Sequence, residues 1–179
     1  MVLALAGRRV DPAGAATSGF PAANMERVRQ ALGATFERLG ATVLVCSAAC
    51  GADLLALAEA RRAGLRCRLV LPAPTDRFRR TSVVDRGAEW GPLFDELISD
   101  ARRRGDLVVA GDPLEGDAAY AAANHCILDE AVVIGAARGE EVRAVIVWDG
   151  RSRGDGDLTE AFAAAARDRH LSVVEVPTL

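Results

Sequence analysis

The run Val45-Cys46-Ser47-Ala48-Ala49-Cys50-Gly51-Ala52-Asp53-Leu54-Leu55 holds the residues best suited to chemistry. Thr42 to Val45 is short, apolar and β-branched and predicts a buried strand. Leu54 to Ala63 is rich in Ala, Leu and Glu and predicts a helix ended by Gly64. A strand that feeds a helix through small residues points the helix's first N–H groups, unpaired, beyond the carboxyl edge of the sheet. That is a natural place for a phosphate. In this geometry Gly51 lets a ligand approach the backbone, Ala52 presents the first turn, Ser47 adds a hydroxyl donor, and Asp53 is a candidate for ribose hydroxyls. The same residues equally make an ordinary strand-to-helix turn in which Asp53 is an N-terminal charge.

Two further groups could meet a ligand there. Gly7-Arg8-Arg9 closes an apolar run, and a guanidinium at that point can form paired bonds to a phosphate; alternatively both Arg side chains are solvated or pair with Asp11. Gly154-Asp155-Gly156-Asp157-Leu158-Thr159-Glu160 opens a helix. Gly154 and Gly156 permit close backbone approach, Thr159 can donate to an anion, and Asp149 and Glu160 suit ribose hydroxyls. The competing reading is a cap, with Asp157 and Glu160 as a capping box. Arg77, Arg79 and Arg80 flank Phe78 in a small basic-aromatic patch, readable as a stacking surface for a base or as a solvated loop with one anchor. Cys50, beside a helix N-terminus, is placed for a lowered pKa, but no base lies near it in sequence and a structural role fits better.

These loops need a scaffold. Val2 to Ala6 predicts a first strand, and a loop follows from Val10 to Ala22. Met25, Val28, Leu32, Phe36 and Leu39 recur at steps of three and four, marking one helix face before Gly40. Cys67 to Leu71 predicts a strand stopped by Pro72, and Asp76 to Arg86 reads as irregular. Pro92 to Arg104 predicts a helix, Leu107 to Ala110 a short strand, and Ala118 to Ala137 a long helix. Val145 to Trp148 is a strand, Leu158 to Arg169 a helix, and Ser172 to Val176 the last strand. Strands alternating with helices predict an α/β, Rossmann-like three-layer αβα sandwich with a mainly parallel sheet in one domain, residues 1–179. The expected order is 3-2-1-5-6, with the Leu107 strand beside strand 3. Ligands of such sheets bind where the winding reverses, here between strands 1 and 5.

Composition excludes several classes. The 22 basic residues are all Arg; without lysine there is no Schiff base and no Walker A loop. Cys46, Cys50, Cys67 and Cys126 lack paired spacing and only His125 and His170 are present, so no metal site is expected. The net charge of −3 gives no electrostatic case for nucleic acid. No apolar run reaches membrane-span length and the first apolar run is too short for a signal peptide, so a cytoplasmic location with no membrane partner is expected.

The ordered set Ala6-Gly7-Arg8-Arg9-Val10-Asp11, Ser47 to Asp53, Val70-Leu71-Pro72, Phe78, Thr81-Ser82-Val83, Trp90, Phe94, Ala123-Asn124 and Trp148-Asp149-Gly150 resembles the SLOG superfamily, most closely the domains found beside nucleotide cyclases and other bacterial signalling modules. The resemblance implies a nucleotide-binding fold, related to the cytokinin-activating phosphoribohydrolases (lysine-decarboxylase-like proteins) and to DNA-processing proteins. It adds Pro72, Ser82 and Asn124 to the candidate ligand residues, and Phe78 or Trp90 as base contacts. Here Gly150 to Glu160 lacks the P-G-G-x-G-T pattern of the phosphoribohydrolases, and Asn124-His125-Cys126 stands where they carry an Arg. The first reading is therefore binding of a small-molecule nucleotide signal, with no cofactor beyond that ligand. The alternatives are cleavage of an N-glycosidic bond, with Glu160 steadying the oxocarbenium and Asp149 the ribose, and single-stranded nucleic acid binding. A homo-oligomer is compatible with each.

Overall fold

Val2, Leu3, Ala4 and Leu5 are all fully buried, as an apolar run without polar alternation requires of a strand covered on both faces. In the computed structural model, which describes residues 1–110 and 116–179, they belong to β1 (Val2–Gly7) at the centre of the sheet. In chain order follow α1 (Met25–Arg38), β2 (Val43–Cys46), α2 (Ala52–Arg62), β3 (Arg66–Leu71), α3 (Thr75–Phe78), α4 (Trp90–Arg104), β4 (Leu107–Val109), α5 (Gly116–Arg138), β5 (Val142–Trp148), α6 (Leu158–Asp168) and β6 (Ser172–Pro177). The described strands form one six-stranded, all-parallel sheet in the order β4-β3-β2-β1-β5-β6. This is the expected α/β fold and strand order.

Alternation along the strands divides the core in two. Leu3 and Leu5 of β1 join the core with Val28, Leu32 and Phe36 of α1, Leu54 and Leu57 of α2, and Phe94 of α4. Val2, Ala4 and Ala6 join the opposite core with Ile127 and Leu128 of α5 and Phe162 of α6. The winding reverses between β1 and β5, so the loops after β1, β2 and β5 gather at one end of the sheet.

Several bounds differ from expectation. Pairing with β1 from Val2↔Val142 extends β5 to Val142. Helix α4 starts at Trp90, because a proline in the first turn lacks only an N–H that has no intrahelical partner. The charged stretch from Asp76 to Arg86 is not irregular. It continues α3 through a π-type turn at Arg79–Val83 and a 3-10 turn at Val84–Arg86. The cause is burial: Phe78, Ser82 and Val83 are at most 1% exposed, and the Phe78 ring lies 6.1 Å from that of Phe94.

Gly7 ends β1 where α2 and β5 come closest. A Cβ there would stand 2.5 Å from Ala52 Cβ and 2.7 Å from Val147 Cβ. Gly7→Ala should therefore destabilise the fold by about 1–3 kcal/mol through overpacking, read as a lowered urea midpoint at unchanged slope.

Candidate functional site

At the carboxyl edge of the sheet lies a cavity of about 430 Å³. Residues from the loops after β1, β2 and β5 line it, together with one face of α5. Of the residues singled out in the sequence, Gly7, Arg8, Ser47, Asp53, Phe78, Asn124, Gly156 and Thr159 line it. Gly51, Ala52, Pro72, Ser82, Asp149, Gly154 and Glu160 do not. Trp90 also lies elsewhere, 7% exposed in the core beneath α4.

Arg8 is neither solvated nor paired with Asp11. Its Nε donates to Asp149 at 3.0 Å, and its Nη1 and Nη2 donate to the two oxygens of Asp157 at 2.6 and 2.8 Å. Nη2 also reaches the Arg151 carbonyl at 2.7 Å, and the guanidinium lies 5.8 Å from the Trp148 ring centroid. Burial opposes this charge, but the bonds to Asp157 and Asp149 outweigh it and raise the Arg8 pKa. Asp157, in turn, is held at about 2: burial works against its charge, and the bonds from Arg8 and from the Arg153 and Glu160 N–H groups prevail. Asp11 instead accepts from the Gly19 and Phe20 N–H groups and shapes its own loop.

The helix N-termini are largely closed as well. In α2 the Ala52, Leu54 and Leu55 N–H groups bond to the carbonyls of Arg8, Ala49 and Gly51. Gly51, at φ 103°, presses against backbone rather than toward the cavity: a Cβ there would stand 2.5 Å from Val10 N. At α6, Asp157 caps the Thr159 and Glu160 N–H groups at 3.0 and 3.2 Å. The reciprocal half of the capping box is absent; the Glu160 carboxylate bonds to Ser152 Oγ and is exposed.

What the fold leaves unsatisfied around the cavity is different. Ser47 Oγ is buried without a hydrogen-bond partner, as is Arg9 Nε. Asp53 is 7% exposed and accepts one bond, from the Ala49 N–H at 3.2 Å. Desolvation pushes its pKa up to about 7, against smaller opposing effects of the Ala49 N–H and Arg9. Asn124 donates to the Leu158 carbonyl at 3.0 Å, tying α5 to the start of α6. Burial raises the Cys50 thiol pKa, though Arg9 donates to its sulfur, so Cys50 is not activated.

Sequence reading missed Arg86, Asp117, Tyr120, Ile127 and Arg153, which also line the cavity. Asp117, Tyr120, Asn124 and Ile127 follow at steps of three, four and three, one helix face; that periodicity was the available signal. Ser82, although outside the cavity, bonds to the Tyr120 hydroxyl and holds that wall. Phe78 is 1% exposed and Arg79 pairs with Asp95 at 2.8 Å, so the basic-aromatic patch offers no outer stacking face. Among the described residues no group of three His, Cys, Asp or Glu side chains could hold a metal, and no helix is long and apolar enough to cross a membrane. Comparison with protein-family models, curated proteins and solved structures finds no match to the chain.

Two predictions follow from these charges. Arg8→Ala would leave Asp149 and Asp157 buried without their cation, and should cost about 3–5 kcal/mol in equilibrium unfolding. Asp53 binds its proton more tightly folded than unfolded, so native stability falls as pH rises from about 4 to about 7 and is level above that. Asp53→Asn should therefore match the parent near pH 4 and exceed it at pH 8, by an amount on the order of 4 kcal/mol. Unfolding curves across that range check the sign.

Proposed function

We propose that the protein binds a nucleotide or nucleotide-derived ligand in the cavity between the β1, β2 and β5 loops. The observation that carries this reading is the cavity's place and lining. It sits at the reversal of winding, where ligands of open parallel sheets bind, and sets a small apolar floor among many polar and charged side chains, Asp53, Arg86 and Asn124 among them. Tyr120, half-buried and backed by the buried Leu5, Phe78 and Ile127, gives a base an aromatic contact. Asp53, largely protonated below pH 7, has an oxygen left to bond a ribose hydroxyl or a base edge. The resemblance to SLOG domains agrees with this reading.

A second reading, cleavage of an N-glycosidic bond, draws support from Asp53 alone. A buried carboxyl with a pKa of about 7 in a cavity is suited to proton transfer near neutrality. Asp149 and Glu160 give that chemistry no help, the first being bound to Arg8 and the second to Ser152.

Calorimetry with AMP, NAD, ADP-ribose and inorganic phosphate tests the binding reading, followed by chromatography for free base. A micromolar ligand requires about 8 kcal/mol, more than phosphate contacts alone provide, so a nucleotide should bind far more tightly than phosphate. No nucleotide binding at millimolar concentration would overturn the proposal. Free base released over many turnovers, and lost in Asp53→Asn, would favour the hydrolase instead.

A further inference from the structure

The Arg expected to meet a phosphate, Arg8, is spent on Asp149 and Asp157, and both neighbouring helix N-termini are capped by the protein itself. The cavity nevertheless holds donors that the fold leaves unused. Arg86 lines it, half-buried, with one hydrogen bond, from Nη1 to the Val10 carbonyl at 2.6 Å. No carboxylate of the described residues lies within ion-pair distance of it. The nearby Asp85 is occupied by Arg9. Burial and the adjacent Arg9 charge lower the Arg86 pKa, and the opposing effects of Cys50, Asp85 and Asp11 do not offset them. Arg9 and Ser47, whose Nε and Oγ are buried and unpartnered, line the same cavity.

Buried donors without acceptors cost stability, and natural folds seldom keep them. Arg9 Nε and Ser47 Oγ are two such donors, and Arg86, with one bond and no carboxylate of the described residues in ion-pair distance, adds a cation from a third segment; together they are the complement of an oxyanion. A phosphoryl group offers three peripheral oxygens, one for each donor, where a carboxylate offers two. The carboxylates of the cavity do not cancel Arg86: Asp157 belongs to Arg8, Asp53 is largely neutral below pH 7, and Asp117 and Asp155 are exposed.

We propose that Arg86, with Arg9 Nε and Ser47 Oγ, forms an oxyanion subsite that takes a phosphoryl group of the bound ligand. Only the identity of that ligand rests on the nucleotide reading above; the subsite itself rests on the unused donors.

Calorimetry of the whole chain with adenosine, ADP and pyrophosphate tests it, using Arg86→Gln, Ser47→Ala and, as a control on the exposed side of α1, Arg27→Gln. ADP should bind more tightly than adenosine to the parent. Arg86→Gln should weaken ADP and pyrophosphate roughly tenfold or more and leave adenosine unchanged, while Arg27→Gln alters none. Ser47→Ala separates recognition from folding: removing an unpartnered buried hydroxyl should leave the unliganded protein melting no lower than the parent, yet weaken ADP several-fold, on the order of the loss of one charge-assisted bond. Should Arg86→Gln fail to fold, Ser47→Ala decides. ADP binding that survives both substitutions would sink the subsite and leave the nucleotide reading standing. Pyrophosphate binding that is lost in Arg86→Gln, with ADP no tighter than pyrophosphate, would support the subsite and remove the nucleotide reading. Absence of binding by all three compounds would overturn both.

Discussion

The carboxyl edge of this sheet is organised by one buried ion cluster, Arg8 with Asp149 and Asp157. Burying a guanidinium carries a desolvation penalty that only well-placed carboxylates and further hydrogen bonds offset. Here four bonds from Arg8 reach three residues of the loop after β5. They bind the end of β1 to a loop in which Gly150, Gly154 and Gly156 all sit at positive φ. Asp157 then serves twice, accepting from Arg8 and capping α6. A single carboxylate thus sets both where α6 begins and how the β5 loop lies over the cavity.

That arrangement has a consequence for recognition. In many nucleotide-binding folds a helix N-terminus and its glycine loop receive the phosphate. Here the Thr159 and Glu160 N–H groups at α6 are taken by Asp157, and the Ala52 and Leu54 N–H groups at α2 by the Arg8 and Ala49 carbonyls. Backbone packing also consumes the freedom of Gly7 and Gly51, both of which sit against neighbouring chain. On the proposed reading, anion recognition falls to side chains with incomplete bonding, on the Arg9, Ser47 and Arg86 side of the cavity.

The fold was legible in the sequence because it depends on patterns that local physics imposes. Apolar runs such as Val2 to Ala6 and Cys67 to Leu71, alternating with helical periodicity, leave few arrangements other than a parallel sheet with helices on both faces. Chain order and the return of β5 beside β1 then place the convergent loops. Half of the site followed: Ser47, Asp53, Asn124 and Thr159 line the cavity, as their positions at strand ends and helix faces allow. The other half was hidden because it depends on pairing across the chain. Nothing local to Arg8 shows that its partners lie 141 and 149 residues away. Arg86 looked like one more charge in a charged stretch until Phe78 and Val83 folded that stretch against the cavity wall.

The contrast between Arg8 and Arg86 gives the physical basis for separating scaffold from site. Both are arginines at the same cavity, and sequence ranks Arg8 first because it follows a central strand. Bonding reverses the ranking. A guanidinium with its charge balanced by two carboxylates gains little from a third anion and would have to give up existing bonds to meet it. One with a single carbonyl bond and a cation for a neighbour gains both charge compensation and hydrogen bonds when an anion arrives. Ser47 and Asp53 obey the same logic, each buried at the cavity with bonding capacity unused. The groups that the fold satisfies hold the loops in place, and those it leaves unsatisfied are the ones with free energy still to gain from a ligand.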